Sequence, residues 1–188
     1  MKTDIILAGV GGQGILSIAA VIGEAALEAG LYMKQAEVHG MSQRGGDVQS
    51  HLRISDKPVA SDLIPLGNAD IIISLEPMEA LRYLPYLKKD GWIVTGSNPF
   101  ENISNYPDME NLMKEYNSLP NKVILDVEQI AKDLGAPRSG NVVLLGAAAP
   151  YLGIDFCRLE NGIKSIFGKK GEEIVEINLK ALRRETKS

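Results

Sequence analysis

Cysteine is almost missing from this chain of 188 residues: Cys157 is the only one. A single thiol excludes a disulfide framework, a thiolate zinc site and a cysteine-ligated iron–sulfur cluster. Cys157 lies in Ile154-Asp155-Phe156-Cys157-Arg158-Leu159, a helix-like run with no glycine turn and no neighbouring histidine. It is therefore expected to be a small buried core residue, not a nucleophile. Histidine is scarce as well. His39 and His51 have no fixed partners in the sequence, and neither is given a catalytic role. No catalytic or metal-ligating set is named. Basic residues are outnumbered, 20 Lys and Arg against 24 Asp and Glu, for a net charge of −4, so charge makes no case for nucleic acid. Long apolar runs are missing too. The most apolar late segment, Val142 to Leu152, falls far short of a membrane span and contains Pro150. The chain passes from Met1-Lys2-Thr3-Asp4 straight into a strand too short for a signal-peptide core, and a cytoplasmic location is expected.

What is present is an ordinary globular composition, 45% hydrophobic and 23% charged, in a length that suits one α/β domain covering residues 1–188. Ile5-Ile6-Leu7-Ala8 is the first strand. Ile15 to Ala29 follows as a helix, with Gly30 as its stop. That helix is apolar over most of its circumference, with Ser17, Glu24 and Glu28 on one stripe, and part of its surface is expected to meet a partner chain. Leu31 to Val38 reads as a second strand. Val48 to Ile54 alternates: Val48, Ser50, Leu52 and Ile54 face the core, and Gln49, His51 and Arg53 face the other way. Two readings of that polar face stand, a solvated surface and the wall of a site, with the solvated one favoured. Asp70 to Leu75 is a buried strand. Glu76-Pro77 opens a helix through Leu87, with Pro85 bending or ending it. Asp90-Gly91 turns into a strand over Trp92 to Thr95. Ser97 to Pro107 is a loop before a helix capped by Asp108. Lys122 to Leu125 is a last strand, and Val127 to Leu134 a helix. Helices are expected over Asn141–Leu152, Asp155–Phe167 and Glu172–Arg184. For the first of these, a core helix and a helix at a subunit interface are both open.

Two glycine-rich loops carry the functional content. Gly9-Val10-Gly11-Gly12-Gln13-Gly14 stands between the first strand and the first helix, the setting that raises G-x-G-x-x-G above a chance match. Glycines let the backbone turn tightly and approach a ligand closely. The helix behind them offers unpaired N–H groups and the positive end of its dipole. Glu37-Val38-His39-Gly40-Met41-Ser42-Gln43-Arg44-Gly45-Gly46 has the same character and is expected to fold beside the first loop. A dinucleotide site would also need an acidic residue about twenty residues past the glycines, and Glu37 stands near that place. A stand-alone NAD(P)- or nucleotide-binding protein is thus one reading.

The same residues resemble a known family. The two glycine loops, the strand through Arg53-Ile54, Leu75-Glu76-Pro77-Met78-Glu79-Ala80-Leu81-Arg82-Tyr83, and Gly140-Asn141 with Gly146 are similar to the gamma-type domain of the 2-oxoacid:ferredoxin oxidoreductases. Within that family the likeness is to the smaller subunit of the indolepyruvate enzymes. It runs over essentially the whole chain and implies a three-layer α/β/α Rossmann-like fold with a mostly parallel or mixed sheet. It also implies a multi-subunit, oxygen-sensitive enzyme that decarboxylates a 2-oxo acid, an aryl-pyruvate here, on thiamine diphosphate with magnesium. Such an enzyme passes the acyl group to coenzyme A and its electrons through iron–sulfur clusters to ferredoxin.

One cysteine cannot ligate a cluster, and no thiamine diphosphate motif is found. This chain alone is expected to bind none of those cofactors and to be inactive by itself. The cofactors are placed in a larger partner subunit, with ferredoxin reached through the complex. In isolation the chain is expected to self-associate or to bind that larger subunit; no nucleic-acid or membrane partner is expected. Gly9, Gly11, Gly12, Gln13, Gly14, Arg44, Gly45 and Gly46 are the candidate contact residues. Gln13 and Arg44 would donate hydrogen bonds to phosphate or carboxylate oxygens. A regulatory or scaffolding module of the same fold is the third reading.

Overall fold

The computed structural model describes residues 1–39, 45–101 and 103–184, with the backbone alone of His39. Strands β1 (Lys2–Val10), β2 (Tyr32–His39), β3 (Asp47–Ser55), β4 (Ala69–Ser74), β5 (Leu87–Gly96) and β6 (Lys122–Leu125) form one sheet in the order β2-β3-β1-β4-β5-β6. β1, β4, β5 and β6 run parallel. β3 runs antiparallel to both of its neighbours, β1 and β2. The direction of that strand is thereby settled, and so is its place, wedged between the first two strands. Helices α1 (Ile15–Glu28), α2 (Pro77–Arg82), α3 (Met109–Ser118), α4 (Val127–Asp133), α5 (Gly140–Ala148), α6 (Phe156–Phe167) and α7 (Glu172–Leu182) cover the two faces. The three-layer α/β/α reading holds.

Ile5, Ile6, Leu7 and Ala8 are all fully buried, as a continuous apolar run requires when a central strand is covered on both sides. Ile5 and Leu7 join the core under α1, α5, α6 and α7; Ile6 and Ala8 join a smaller one with Ala80, Tyr83 and Tyr116. The chain from β1 leaves toward β3 and β2 and returns past β1 to β4, so the crossovers separate between β1 and β4. In open α/β sheets that switch point, at the carboxyl ends of the strands, is where ligands bind.

Five expectations change on the structure. The Gln49–His51–Arg53 face is neither solvated nor a site wall, because residues 56–66 lie across it. Arg53 donates from Nε to Asp4 Oδ1 at 2.8 Å and from Nη2 to Asp4 Oδ2 at 3.1 Å, and from Nη1 to the carbonyls of Ser61 and Leu63. Asp4 is fully buried; burial works against its charge, but Arg53 and Lys2 hold the carboxyl below its ordinary range.

Cys157 is exposed, not buried. The buried stripe of α6 is Leu159, Gly162, Ile163 and Phe167, and a residue two positions before Leu159 falls on the opposite side of the helix.

The apolar surface of α1 and α5 is covered within the chain. A Cβ on Gly162 would stand 2.7 Å from the Val21 carbonyl, and one on Gly146 would stand 2.2 Å from the Leu182 carbonyl. α6 and α7 therefore pack backbone to backbone on α1 and α5. α5 is a core helix, and of the large apolar side chains on α1 only Leu16 and Leu27 are left exposed.

The helix opened by Pro77 ends at Arg82, and the segment 84–86 around Pro85 is a single 3-10 turn. Asp90 and Gly91 are not a turn before the next strand. They lie inside β5, where the register shifts between Ala69 and Ile71 and a Cβ on Gly91 would crowd Leu87. Among the described residues, no helix is long and apolar enough to cross a membrane.

Candidate functional site

β1 delivers its last residues directly into the first glycine loop, and Gly9 is still strand. A Cβ there would meet Gln13 Oε1 and Ile15 Cγ1, each at 2.9 Å, so this glycine permits the loop to fold back on its own strand. The fold-back is made by Gln13. Its Oε1 accepts from Val10 N–H at 2.8 Å and its N–H donates to the Val10 carbonyl at 3.1 Å. The carboxamide oxygen is thus engaged inside the loop, and the amide nitrogen is the part of Gln13 left to donate outward. Gly12 has φ +102 with open space where a Cβ would stand; Gly14 has φ +84 with Asn141 Nδ2 2.7 Å from that position. Both conformations favour glycine. Only Gly12 faces outward.

The second loop does come to the first. Gly11 N–H donates to the Gly46 carbonyl at 2.8 Å, and Gly45 N–H to the Gly11 carbonyl at 3.4 Å. These bonds extend the β1–β3 ladder one step past the Val10–Asp47 pair. Gly11, Gly12, Gln13, Gly14, Gly45 and Gly46 therefore form one continuous surface. Gly40, Met41, Ser42, Gln43 and Arg44 lie outside the described residues, and with them the expected contact by Arg44.

Two helix N-termini converge here. α1 is capped by Gly14 with no side-chain hydrogen bond and no acidic residue in its first turn, and α5 likewise has no acidic residue there. Asn141 at the head of α5 donates from Nδ2 to the Gly14 carbonyl at 3.2 Å and accepts Val142 N–H on Oδ1. By contrast α2, α3 and α4 are capped by Glu76, Asp108 and Asp126. The positive ends of α1 and α5 are left without a neutralising carboxylate, which suits an anionic group.

Beyond β4, a buried carboxylate organises the neighbouring wall. Glu76 accepts from Glu79 N–H at 2.8 Å, from Phe100 N–H at 3.2 Å and from the Tyr106 hydroxyl. It thereby ties the 97–107 loop to the switch point. Phe100 and Ile103 on that loop are exposed, as is Leu16 in the first turn of α1. Behind the second glycine loop stand Asp47, Glu79, Arg82 and Tyr83. Sequence analysis quoted Leu75 to Tyr83 and Asn141 without giving any of them a role. No spacing signal ties Asp47 to Glu79 or Gly14 to Asn141, because each pair is made by folding.

The dinucleotide reading loses its acidic residue. Glu37 lies on β2, opposite Ser50 on β3, which is opposite Leu7 on β1. It is two strand spacings from β1, about 10 Å, where a ribose-binding carboxylate belongs on the adjacent strand. Gln35 Nε2 also donates to Glu37 Oε1 at 2.8 Å.

His51 is structural. Its Nδ1 accepts Ile64 N–H at 3.0 Å and its ring meets Tyr86 edge-on at 5.3 Å. With Nδ1 an acceptor, Nε2 carries the proton, and the Gln49 carboxamide, whose Nε2 stands 2.5 Å from it, must turn its oxygen inward to accept that proton. Burial, then Arg53, pushes the His51 pKa down. Among the described residues, no three His, Cys, Asp or Glu side chains gather as metal ligands would.

The family described as pyruvate ferredoxin/flavodoxin oxidoreductase matches residues 4–186. The chain is 37% identical to an indolepyruvate oxidoreductase subunit IorB of Archaeoglobus fulgidus, over 97% of this chain and 93% of that protein. It is 42% identical to the subunit of the same name in Pyrococcus horikoshii, over 77% of this chain and 75% of that one. Among solved structures it overlays a keto/oxoacid ferredoxin oxidoreductase gamma subunit from Geobacter sulfurreducens. That overlay has a TM-score of 0.70 and 26% identity, and it covers 96% of this chain and 94% of the other.

Proposed function

The chain belongs to the pyruvate ferredoxin/flavodoxin oxidoreductase family, and we infer that it is the small subunit of a 2-oxoacid:ferredoxin oxidoreductase. The indolepyruvate names of relatives at 37% and 42% identity support an aryl-pyruvate, indolepyruvate first, as the substrate of the whole enzyme. We take residues 1–188 as one gamma-type domain of a cytoplasmic enzyme.

The observation that carries the site is the bonding of Gly11 to Gly46. It joins two glycine loops into one backbone surface at the switch point, with two uncapped helix ends beneath. Gly9 and Gly14 give that surface its shape. Gly11, Gly12, Gly45 and Gly46 let another backbone or a phosphate approach it closely. Gln13 Nε2 is a donor at its rim, and Arg44 is proposed as a second.

The enzyme's cofactors are tested against this chain's own groups. Cys157 stands alone on the outer side of α6, so the thiolates of an iron–sulfur cluster must come from elsewhere. The described residues gather no acidic set for a thiamine diphosphate–magnesium site. The uncapped α1 end does suit an anion, such as a phosphate of thiamine diphosphate or of coenzyme A. The chemistry is proposed to lie in a larger subunit carrying thiamine diphosphate and the clusters, from which ferredoxin draws its electrons. This chain would close the shared cleft with its glycine surface and dock through Leu16, Phe100 and Ile103 around it.

The test is reconstitution. The purified chain is assayed with indolepyruvate, coenzyme A and a low-potential dye, with and without a co-expressed larger subunit. Turnover is expected only in the complex, and Gly12→Val should abolish it while the chain alone remains folded. Turnover by this chain alone would overturn the subunit reading, and full activity of Gly12→Val would reduce the loop to a turn.

A further inference from the structure

The fold brings two carboxyls, distant in sequence, together behind the second glycine loop. Asp47 opens β3 directly after Gly46. The Tyr83 hydroxyl donates to its Oδ2 at 2.6 Å, while its Oδ1 is shut off from solvent with no donor. Glu79 on α2 is 1% exposed and takes a two-pronged contact from Arg82, 2.9 Å from Nε and 3.2 Å from Nη2. Its carboxyl lies within hydrogen-bonding reach of Asp47. Among the described residues, the charged and titratable groups of this cluster are Asp47 from β3 and Glu79, Arg82 and Tyr83 from α2 and the residue that caps it. β1 contributes only the apolar Val10 opposite Asp47. Fully ionised, the cluster would set the buried Glu79 carboxylate against the half-buried Asp47 carboxylate, one oxygen facing another, with only the half-exposed Arg82 guanidinium to balance them. A single proton removes the excess charge and supplies the missing donor together.

We propose that Glu79 keeps a proton and donates it to Asp47 Oδ1, and that this hydrogen bond clasps Asp47, and Gly46 before it, to α2. Gly46 precedes Asp47 and accepts the Gly11 bond, so the clasp also sets how firmly the two glycine loops hold each other. Burial pushes Glu79 up to about 7, Arg82 opposing and Asp47 adding to the rise. Once it separates from Asp47, the Glu79 carboxyl returns to the ordinary carboxylate range. Between about pH 5 and 7 the separated form has lost its proton while the clasped form keeps it. Opening then becomes easier by about tenfold per pH unit and levels off above 7.

The bearing of the clasp on partner or ligand capture rests on the reading of the glycine loops given above. The proton itself is tested on the full chain without either. Exchange of the Gly11 amide is followed by NMR from pH 5 to 8 and corrected for the intrinsic base-catalysed rate. Protection is expected to fall roughly a hundredfold between pH 5 and 7 and then stay level. In Glu79→Gln an amide can donate to Asp47 at every pH, and protection should not vary. Flat protection in the wild type, or an undiminished fall in Glu79→Gln, would overturn the clasp. Should Glu79→Gln fail to fold, Asp47→Asn carries the same expectation. The Glu79 carboxyl carbon shift of the wild type then decides: a titration near pH 7 supports the retained proton, and a titration below pH 5 overturns it. None of these readouts depends on oxidoreductase activity.

Discussion

Gly146 and Gly12 show how differently two glycines of one chain are used. At Gly146 a Cβ would stand 2.2 Å from the Leu182 carbonyl, and neither helix backbone can withdraw without opening the core. Gly146→Ala is expected to destabilise the chain by about 3 kcal/mol in urea unfolding, at the upper end of overpacking costs. At Gly12 no described residue lies within 4 Å of the place a Cβ would take. Gly12→Ala should cost only the positive φ, about 1 kcal/mol, with its larger effect on assembly or activity of the complex. Equal losses of stability at the two positions would contradict this division. The buried Asp4–Arg53 pair supplies a second residue-scale expectation. Arg53→Met leaves Asp4 with only the half-exposed Lys2 as a partner, and a loss of about 3 kcal/mol is expected. Adding Asp4→Asn should recover part of it, since the uncompensated charge is then gone.

At the scale of elements, the 97–107 loop is held by a carboxylate from another element. Phe100 N–H and the Tyr106 hydroxyl both donate to Glu76, which also caps α2. Glu76→Ala would strand three donors and remove the cap, a loss of about 1–3 kcal/mol centred on this region. Limited proteolysis should then cut within residues 98–107 well before the sheet is exposed. Cleavage elsewhere first would show that the loop does not depend on Glu76. Sequence spacing located the helix after Glu76 and the loop after Ser97. It offered no sign that one carboxylate joins them, since Phe100 and Tyr106 reach it only when β4 and β5 lie side by side.

For the whole molecule, two buried carboxylates give the pH dependence opposite slopes. Glu79 has a folded pKa pushed up to about 7 from 4.5. Its protonated form is favoured by folding, so stability is highest below the unfolded value and falls as pH rises through about 7. The fall is on the order of 3 kcal/mol. Asp4 is shifted the other way; its contribution is complete above the ordinary carboxylate range and is lost as pH falls through the folded value. The unfolding free energy should therefore peak near pH 5, and Glu79→Gln should flatten the neutral side while leaving the acid side unchanged. A wild-type curve that is level from pH 5 to 8 would contradict the assignment.

By itself the sequence determined the class of the fold and the place of its working surface. A short apolar run that ends in a glycine turn reads as a covered strand. G-x-G-x-x-G between strand and helix can only be a tight turn at a helix N-terminus. The two glycine motifs at their separation pointed to the family. Periodicity also located most of the helices, because a buried stripe leaves its period in the chain. Tertiary structure alone decided what lies across from what. Alternation in β3 could say that Gln49, His51 and Arg53 share a face; it could not say that residues 56–66 cover it, because a buried Arg53 needs Asp4 from another strand. Hydrophobicity marked α1 and α5 as covered on several sides, but not by what, and α6 and α7 of the same chain proved to be the cover. Glu37 stood at the right distance along the chain for a ribose and the wrong distance across the sheet, since β3 inserts between β1 and β2. Pairing across a sheet and the meeting of Asp47 with Glu79 arise from separations in space, which a linear pattern of residue types does not encode.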